Sequence, residues 1–145
     1  MAMDATRTIS GSYGEVWHEG KWLTNFNSAE AAGEINFEEI NRSGTRIVGQ
    51  KATTVTFSGN MKGLKLSSRM TKLIGQIGTD RGKSFVTELI MKLDDPESYG
   101  AERIRLKGVQ FSRIDLIKFE AGSVVETELP FVFTGYDLLD EIKEA

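Results

Sequence analysis

The sequence predicts a mainly β protein: packed antiparallel sheets, sandwich- or barrel-like, with one flanking α-helix and a long projecting hairpin. Three observations carry that prediction. Fifteen glycines in 145 residues exceed the usual share of about 7%, and two prolines fall below the usual share of about 5%. Proline cannot donate to a sheet ladder and glycine serves tight turns, so the balance suits many strands joined by hairpins. Most segments alternate apolar and polar residues with a period of two, whereas a helical period occurs once. The length fits one domain, residues 1–145, able to bury a core without staples.

The elements follow in order. Residues 13–18 (YGEVWH) are a short β-prone run that Glu19-Gly20 breaks, and residues 21–32 return as the second arm of a hairpin. Across residues 34–40, Ile35 and Phe37 share one face, with Glu34, Asn36 and Glu38 on the other. Residues 41–50 (NRSGTRIVGQ) are polar and Gly-punctuated and read as a hairpin tip. Residues 52–61 resume as a strand, Val55 and Phe57 opposing Thr54, Thr56 and Ser58. Leu66, Met70, Leu73, Ile74 and Ile77 then fall on one helical stripe that predicts packing against a sheet. Ser67 or Ser68 can cap its start and Gly78 its end. After the turn at residues 79–82, strands are expected over 85–93, 103–109, 111–119 and 124–133. Gly108 marks a bulge or a bend where a strand leaves one sheet for another. The tail, residues 136–145, carries Leu138, Leu139 and Ile142 among acids and reads as a short amphipathic helix or a docking arm.

Several function classes are disfavoured at once. There is no cysteine and a single histidine, His18, so thiolate chemistry and His-rich metal sites are not expected. Eighteen basic against twenty-one acidic residues give a net charge of −3, which offers no grip on a polyanion. Apolar runs are too short to span a bilayer, and MAMDATRTIS lacks the pattern of a secretory signal. Gly78-Thr79-Asp80-Arg81-Gly82-Lys83-Ser84 resembles a phosphate loop but is one residue short and follows a helix instead of preceding one. The pairs Glu38-Glu39 and Asp94-Asp95 are a strand pair pointing to opposite faces and a turn, and no third group converges on either. His18 has no neighbouring group to orient it as a base. An enzyme is therefore not expected, nor a cofactor.

One charge pattern remains. Glu30, Glu34, Glu38 and Glu39 lie in a stretch without bases, and Arg42, Arg46 and Lys51 in a stretch without acids. Two solvated faces of one hairpin account for it; so does a projecting hairpin that mates with a neighbouring copy, where complementary charge fixes register.

Four segments resemble the tail-tube proteins of contractile phage tails, defective prophages and phage-tail-like (R-type) bacteriocins. They are Thr8-Ile9-Ser10-Gly11 with Gly14 and Gly20, like an opening strand pair; the tip Gly44-Thr45-Arg46-Ile47-Val48-Gly49-Gln50-Lys51; Leu93-Asp94-Asp95 with Gly100-Ala101-Glu102-Arg103-Ile104; and the last strand Glu126-Thr127-Glu128-Leu129-Pro130-Phe131-Val132-Phe133. The likeness runs over residues 8–142 and lapses at 81–89 and after Tyr136. It implies a structural protein whose hexameric rings stack head to tail as the inner tube of a contractile tail, a channel for DNA or ions. It implies as partners further copies of itself, the sheath protein, a baseplate or initiator and a tape-measure protein. DNA would be only a transient cargo in a neutral or acidic lumen, and no membrane contact by this chain is expected. The place of action would be the virion or tail-like particle, after synthesis in the bacterial cytoplasm. Under that resemblance the hairpin at residues 33–51 is the stacking element, Arg42, Arg46 and Lys51 meeting carboxylates such as Glu34, Glu38 and Glu39 on the next ring. A monomeric β-barrel that binds a small ligand in its interior is the alternative; it needs a closed sheet and an apolar cavity.

Overall fold

In the computed structural model, which describes residues 2–143, a single hydrogen-bonded antiparallel sheet folds over at one strand. The strands are β1 (Gly14–His18), β2 (Lys21–Trp22), β3 (Phe26–Ile40), β4 (Gly49–Leu64), β5 (Thr87–Leu93), β6 (Glu102–Phe111), β7 (Glu126–Phe133) and β8 (Gly135–Asp140). Their order is β2-β1-β5-β6-β7-β4-β3, with β8 also paired to β6. Helix α1 (Arg69–Ile74) and a 3₁₀ turn, Gly75–Gly78, lie between β4 and β5.

The fold pivots on β6. Its first half, Arg103 to Lys107, pairs with β8, and Gln110 and Phe111 pair with β7. Between them the register against β5 shifts, three steps on β6 (Leu106 to Val109) facing two on β5 (Leu89 to Thr87). Gly108 sits in this bulge at φ +65°, a left-handed conformation that costs glycine little. A side chain there would also strike Thr134, so the bend expected at Gly108 is present. The turned sheet buries one core. Met61, Leu89, Leu106, Val109 and Phe131 are its most buried members, and Val16, Phe26, Leu129 and Phe133 close around them.

Four expectations are corrected. Residues 21–32 are not one return strand: β2 ends at Trp22, the chain turns through Leu23–Asn25, and β3 pairs with β4 instead of β1. Asn25 makes that turn, its Nδ2 donating to the Leu64 carbonyl at 2.8 Å. Residues 111–119 form no strand beyond Phe111; residues 112–125 are a loop. Of the segment expected to open a strand pair, Thr8-Ile9-Ser10 lies between two 3₁₀ turns, Ala5–Arg7 and Gly11–Tyr13, and the pair itself is β1 with β2, beginning at Gly14 and turning at Gly20. The tail is neither helix nor arm over residues 135–140 but strand β8. Three bases on one face of β6 hold it: Arg105 and Lys107 lie 2.6 and 3.0 Å from Asp137, and Arg103 lies 3.1 Å from Asp140. Lys107 first and Arg105 second hold the Asp137 carboxyl below its ordinary pKa.

The helix is shorter than its stripe. Ile74 is buried and Met70 packs on the core, with Leu73 half-buried. Leu66 precedes the first turn and Ile77 lies in the 3₁₀ segment after Gly75; both are exposed. Ser68 occupies the N-cap position without a side-chain cap bond.

Candidate assembly surface

The hairpin expected at residues 33–51 exists and projects. β4 pairs with β7 only from Phe57 to Leu64, so from Phe57 outward to Gly49 the ribbon is β3 and β4 alone. Eight residue steps of about 3.3 Å carry it about 25 Å beyond the sheet. A two-stranded ribbon is marginally stable in water by itself. Ile35 faces Val55 across the ladder and Glu34 faces Thr56 on the other side; a bulge on β4 follows, Asn36 facing Thr54 and Phe37 facing Ala52, and Phe37 continues the apolar side of β3. Among the described residues the apolar side is left uncovered, Ile35 53%, Val55 49% and Phe37 59% exposed. The outer edge of β3 is also unpaired, because β3 ends the strand order.

The charged residues lie where the sequence placed them, but they are not equivalent. Glu38 stands directly across the ladder from Lys51, whereas Glu39 faces Gln50. Arg42 is engaged in the tip, its Nη2 donating to the Ile47 carbonyl at 3.2 Å, and the Ile47 amide donates to Thr45 Oγ1 at 3.1 Å. Arg46 is exposed at the end of the tip and forms no ion pair among the described residues.

A second surface was not anticipated. Below the hairpin, an open apolar groove of about 950 Å³ separates β3 from β1, β5, β6 and β8. Ala29, Ala31 and Gly33 form one wall, and Met91, Ile104 and Tyr136 part of the other. The volume arises because β3 offers small side chains there. In the sequence those positions read only as weak strand. The groove is not the interior of a barrel: β2 and β3 are the two ends of the strand order and do not pair with each other.

The remaining sequence candidates do not converge. Residues 78–84 form a turn, the Gly82 amide donating to the Thr79 carbonyl at 3.0 Å, with no helix following. Asp95 accepts from the amides of Ser10 at 2.8 Å and Glu97 at 2.9 Å. The Glu97 bond first and the Ser10 bond second depress its pKa, so it fastens the N-terminal segment to the β5–β6 connection. His18 is wholly buried, Nε2 lying 2.9 Å from Thr87 Oγ1.

Comparison with known proteins agrees with this architecture. A family model described as phage tail tube protein matches residues 1–140. The phage-like element PBSX protein XkdM of Bacillus subtilis (strain 168) is 30% identical over 146 residues, 99% of each chain. Among solved structures, the AFP tube terminating cap of the anti-feeding prophage superposes with a TM-score of 0.72 at 13% identity, over 97% of this chain and 95% of that one. The PVC sheath/tube terminator of an extracellular contractile injection system, in its extended state, gives 0.70 at 11% identity, over 92% and 97%. At such identities the structural likeness is one of fold.

Proposed function

The chain belongs to the phage tail tube protein family, a structural component of phage tails and phage-tail-like particles, and from that premise we propose how it assembles. Six copies form a ring, the rings stack head to tail, and the stack is the inner tube of a contractile tail with a channel for DNA or ions. The observation that carries this reading is the hairpin: two strands project with a half-exposed apolar face and a free edge on β3. An unpaired edge accepts a strand from another copy, and a sheet continued through many copies closes around an open channel, not a filled core. Ring-to-ring contact of unlike surfaces does not close on itself and propagates as a filament.

In this arrangement the hairpin reaches the next ring. Arg46 at the tip, Glu34, Glu38 and Glu39 on β3 and Lys51 on β4 form no ion pair among the described residues and are the charges left for a partner, while Arg42 braces the turn. The sheath protein lies outside the tube, a baseplate or initiator and a tape-measure protein meet it at an end or within, and DNA passes without being gripped. A net charge of −3 suits a wall that phosphate must slide past.

Negative-stain electron microscopy with sedimentation of the same sample tests the reading, first at high concentration and then with baseplate-capped particle ends added as nuclei. Rings or tubes with an open centre are expected. A single small species under both conditions overturns it.

A further inference from the structure

We infer that a cleft at the foot of the β3–β4 ladder is the seat for the hairpin of a second copy of this chain, taking the side of the ribbon that carries Phe37 and Glu39. The inference rests on the ring-and-tube reading and names the receiving surface that reading leaves open. The cleft holds about 290 Å³ between the turn after β2, the start of β3, the start of β7 and α1. That is room for a phenylalanine side chain.

The cleft lies where the strands of the ladder start and stop together. Phe26 opens β3, β4 ends at Leu64, and Thr127 at the start of β7 stands across from Gly63. Helix α1 closes one side with Arg69 and Met70. Two large apolar side chains that line it are uncovered, Trp22 at 46% and Leu66 at 74% exposure. The loop at residues 112–125 is fastened next to it, the Lys65 amide donating to the Val125 carbonyl at 2.9 Å and Thr71 Oγ1 to the Asp115 carbonyl at 3.3 Å. That loop leaves Leu116, Ile117 and Phe119 exposed.

The charge of the cleft has one sign. Lys21, Lys65 and Arg69 line it, and among the described residues no carboxylate does. Arg69 is shared with Glu19 at 3.8 Å, whereas Lys21 and Lys65 form no ion pair among the described residues. The hairpin offers the complement. Glu39 follows Ile35 and Phe37 on the same side of β3, is exposed, and forms no ion pair among the described residues. An aromatic ring and a carboxylate two residues apart thus meet an indole, a leucine and two free ammonium groups. The apolar contact favours association, and the charges fix register and partner.

Seat and hairpin are opposite ends of one ladder. Phe37 stands eleven steps from Phe26 on β3, about 36 Å, and the ribbon runs away from the cleft, so no chain fills its own. A copy displaced by that length along the ladder can. Unlike surfaces at two ends of one subunit make a head-to-tail contact that repeats without closing.

Reversing the charges and then exchanging them tests the seat. Glu39→Lys is expected to raise the protein concentration needed for tube growth about tenfold, a like charge now facing Lys21 and Lys65. Lys21→Glu together with Lys65→Glu is expected to do the same from the other side. All three substitutions in one chain bring opposite charges together again, and growth is expected to return to within about threefold of the parent. Sedimentation reads the assembled mass, negative-stain microscopy tells single rings from tubes, and matching urea midpoints show that each variant folds. Undiminished growth of either reversed variant, or no recovery in the combined one, overturns the seat. The two readings fail differently: parent tubes with indifferent variants remove the seat and leave the tube, whereas a parent that gives neither rings nor tubes, even with particle ends added, removes both.

Discussion

Lowering the pH should destabilise the protein through His18, by an amount whose ceiling can be worked out in advance. The side chain is wholly buried on β1, with Nε2 2.9 Å from Thr87 Oγ1 and the Phe85 ring edge-on, 6.1 Å between centroids. Nδ1 has no hydrogen-bond partner among the described residues. Burial pulls its pKa below the ordinary 6.5; the Glu19 carboxylate raises it in part and Arg69 of α1 lowers it again. Because the folded pKa is depressed, the unfolded chain binds the proton first. Stability is therefore full above the unfolded pKa and falls as the pH drops below about 6.5 toward the folded value. If the folded chain takes up no proton over this range, moving from about pH 7.5 to about pH 5.5 removes about 1.4 kcal/mol, which is the ceiling of the effect. In a domain of this size the ceiling is about 3–6 °C in Tm. His18→Gln removes the titration and keeps a polar group for Thr87, so subtracting its pH profile cancels the carboxylates. The assay is thermal unfolding of dilute, single-species protein, since assembly would itself raise Tm. Parallel profiles of parent and variant over this range would refute the argument.

Three further outcomes are expected. Phe131→Ala empties a site that is 1% exposed and wedged between Phe111 and Phe133, each about 6.0 Å away by ring centroid; the loss should be about 3–5 kcal/mol, read from urea midpoints. Asp137→Asn should free β8 from Arg105 and Lys107 and speed amide exchange in residues 136–140, leaving β7 amides unchanged. Its carboxyl pKa is depressed, so the parent should keep this protection above the ordinary carboxylate range and lose it as pH falls below. Arg46→Glu should leave the unfolding curve in place and weaken tube growth, and tubes of undiminished length in micrographs would count against a role for the tip in stacking.

The fold was legible where a residue's local preference and its burial agree. Gly108 reads as a bend from sequence because only a glycine tolerates both the left-handed backbone and the proximity of Thr134. The hairpin reads from alternation that the ladder repeats up to the bulge after Asn36, Ile35 against Val55 and Glu34 against Thr56. The tail misled because Leu138, Leu139 and Ile142 fit a helical stripe. What makes it a strand is non-local, the row Arg103, Arg105 and Lys107 about 30 residues earlier on β6. The stripe at Leu66 to Ile77 also overran, since period alone carries no signal that the α-helix tightens into a 3₁₀ turn at Gly75 after six residues.

The surfaces were legible as patterns but not as surfaces, for a single reason. Ile35, Phe37 and Val55 follow the two-residue period of a half-buried strand, and residues 111–119 also look like one, because both carry the apolar content of a core. In the single chain that content is uncovered: the ribbon stands beyond β7 and the loop beyond β6. Sequence pattern records which side chains are to be buried; it does not record whether the cover is the same molecule. Exposure supplies the missing half. An apolar alternation that the fold leaves half-exposed is the pattern expected of a subunit that completes its core on its neighbours, and an edge left unpaired on β3 is the backbone's version of the same deficit. By that argument a polar substitution at Phe37 should spare the monomer and fail the assembly, whereas one at Met61, fully buried on the same β3–β4 ladder, should fail both.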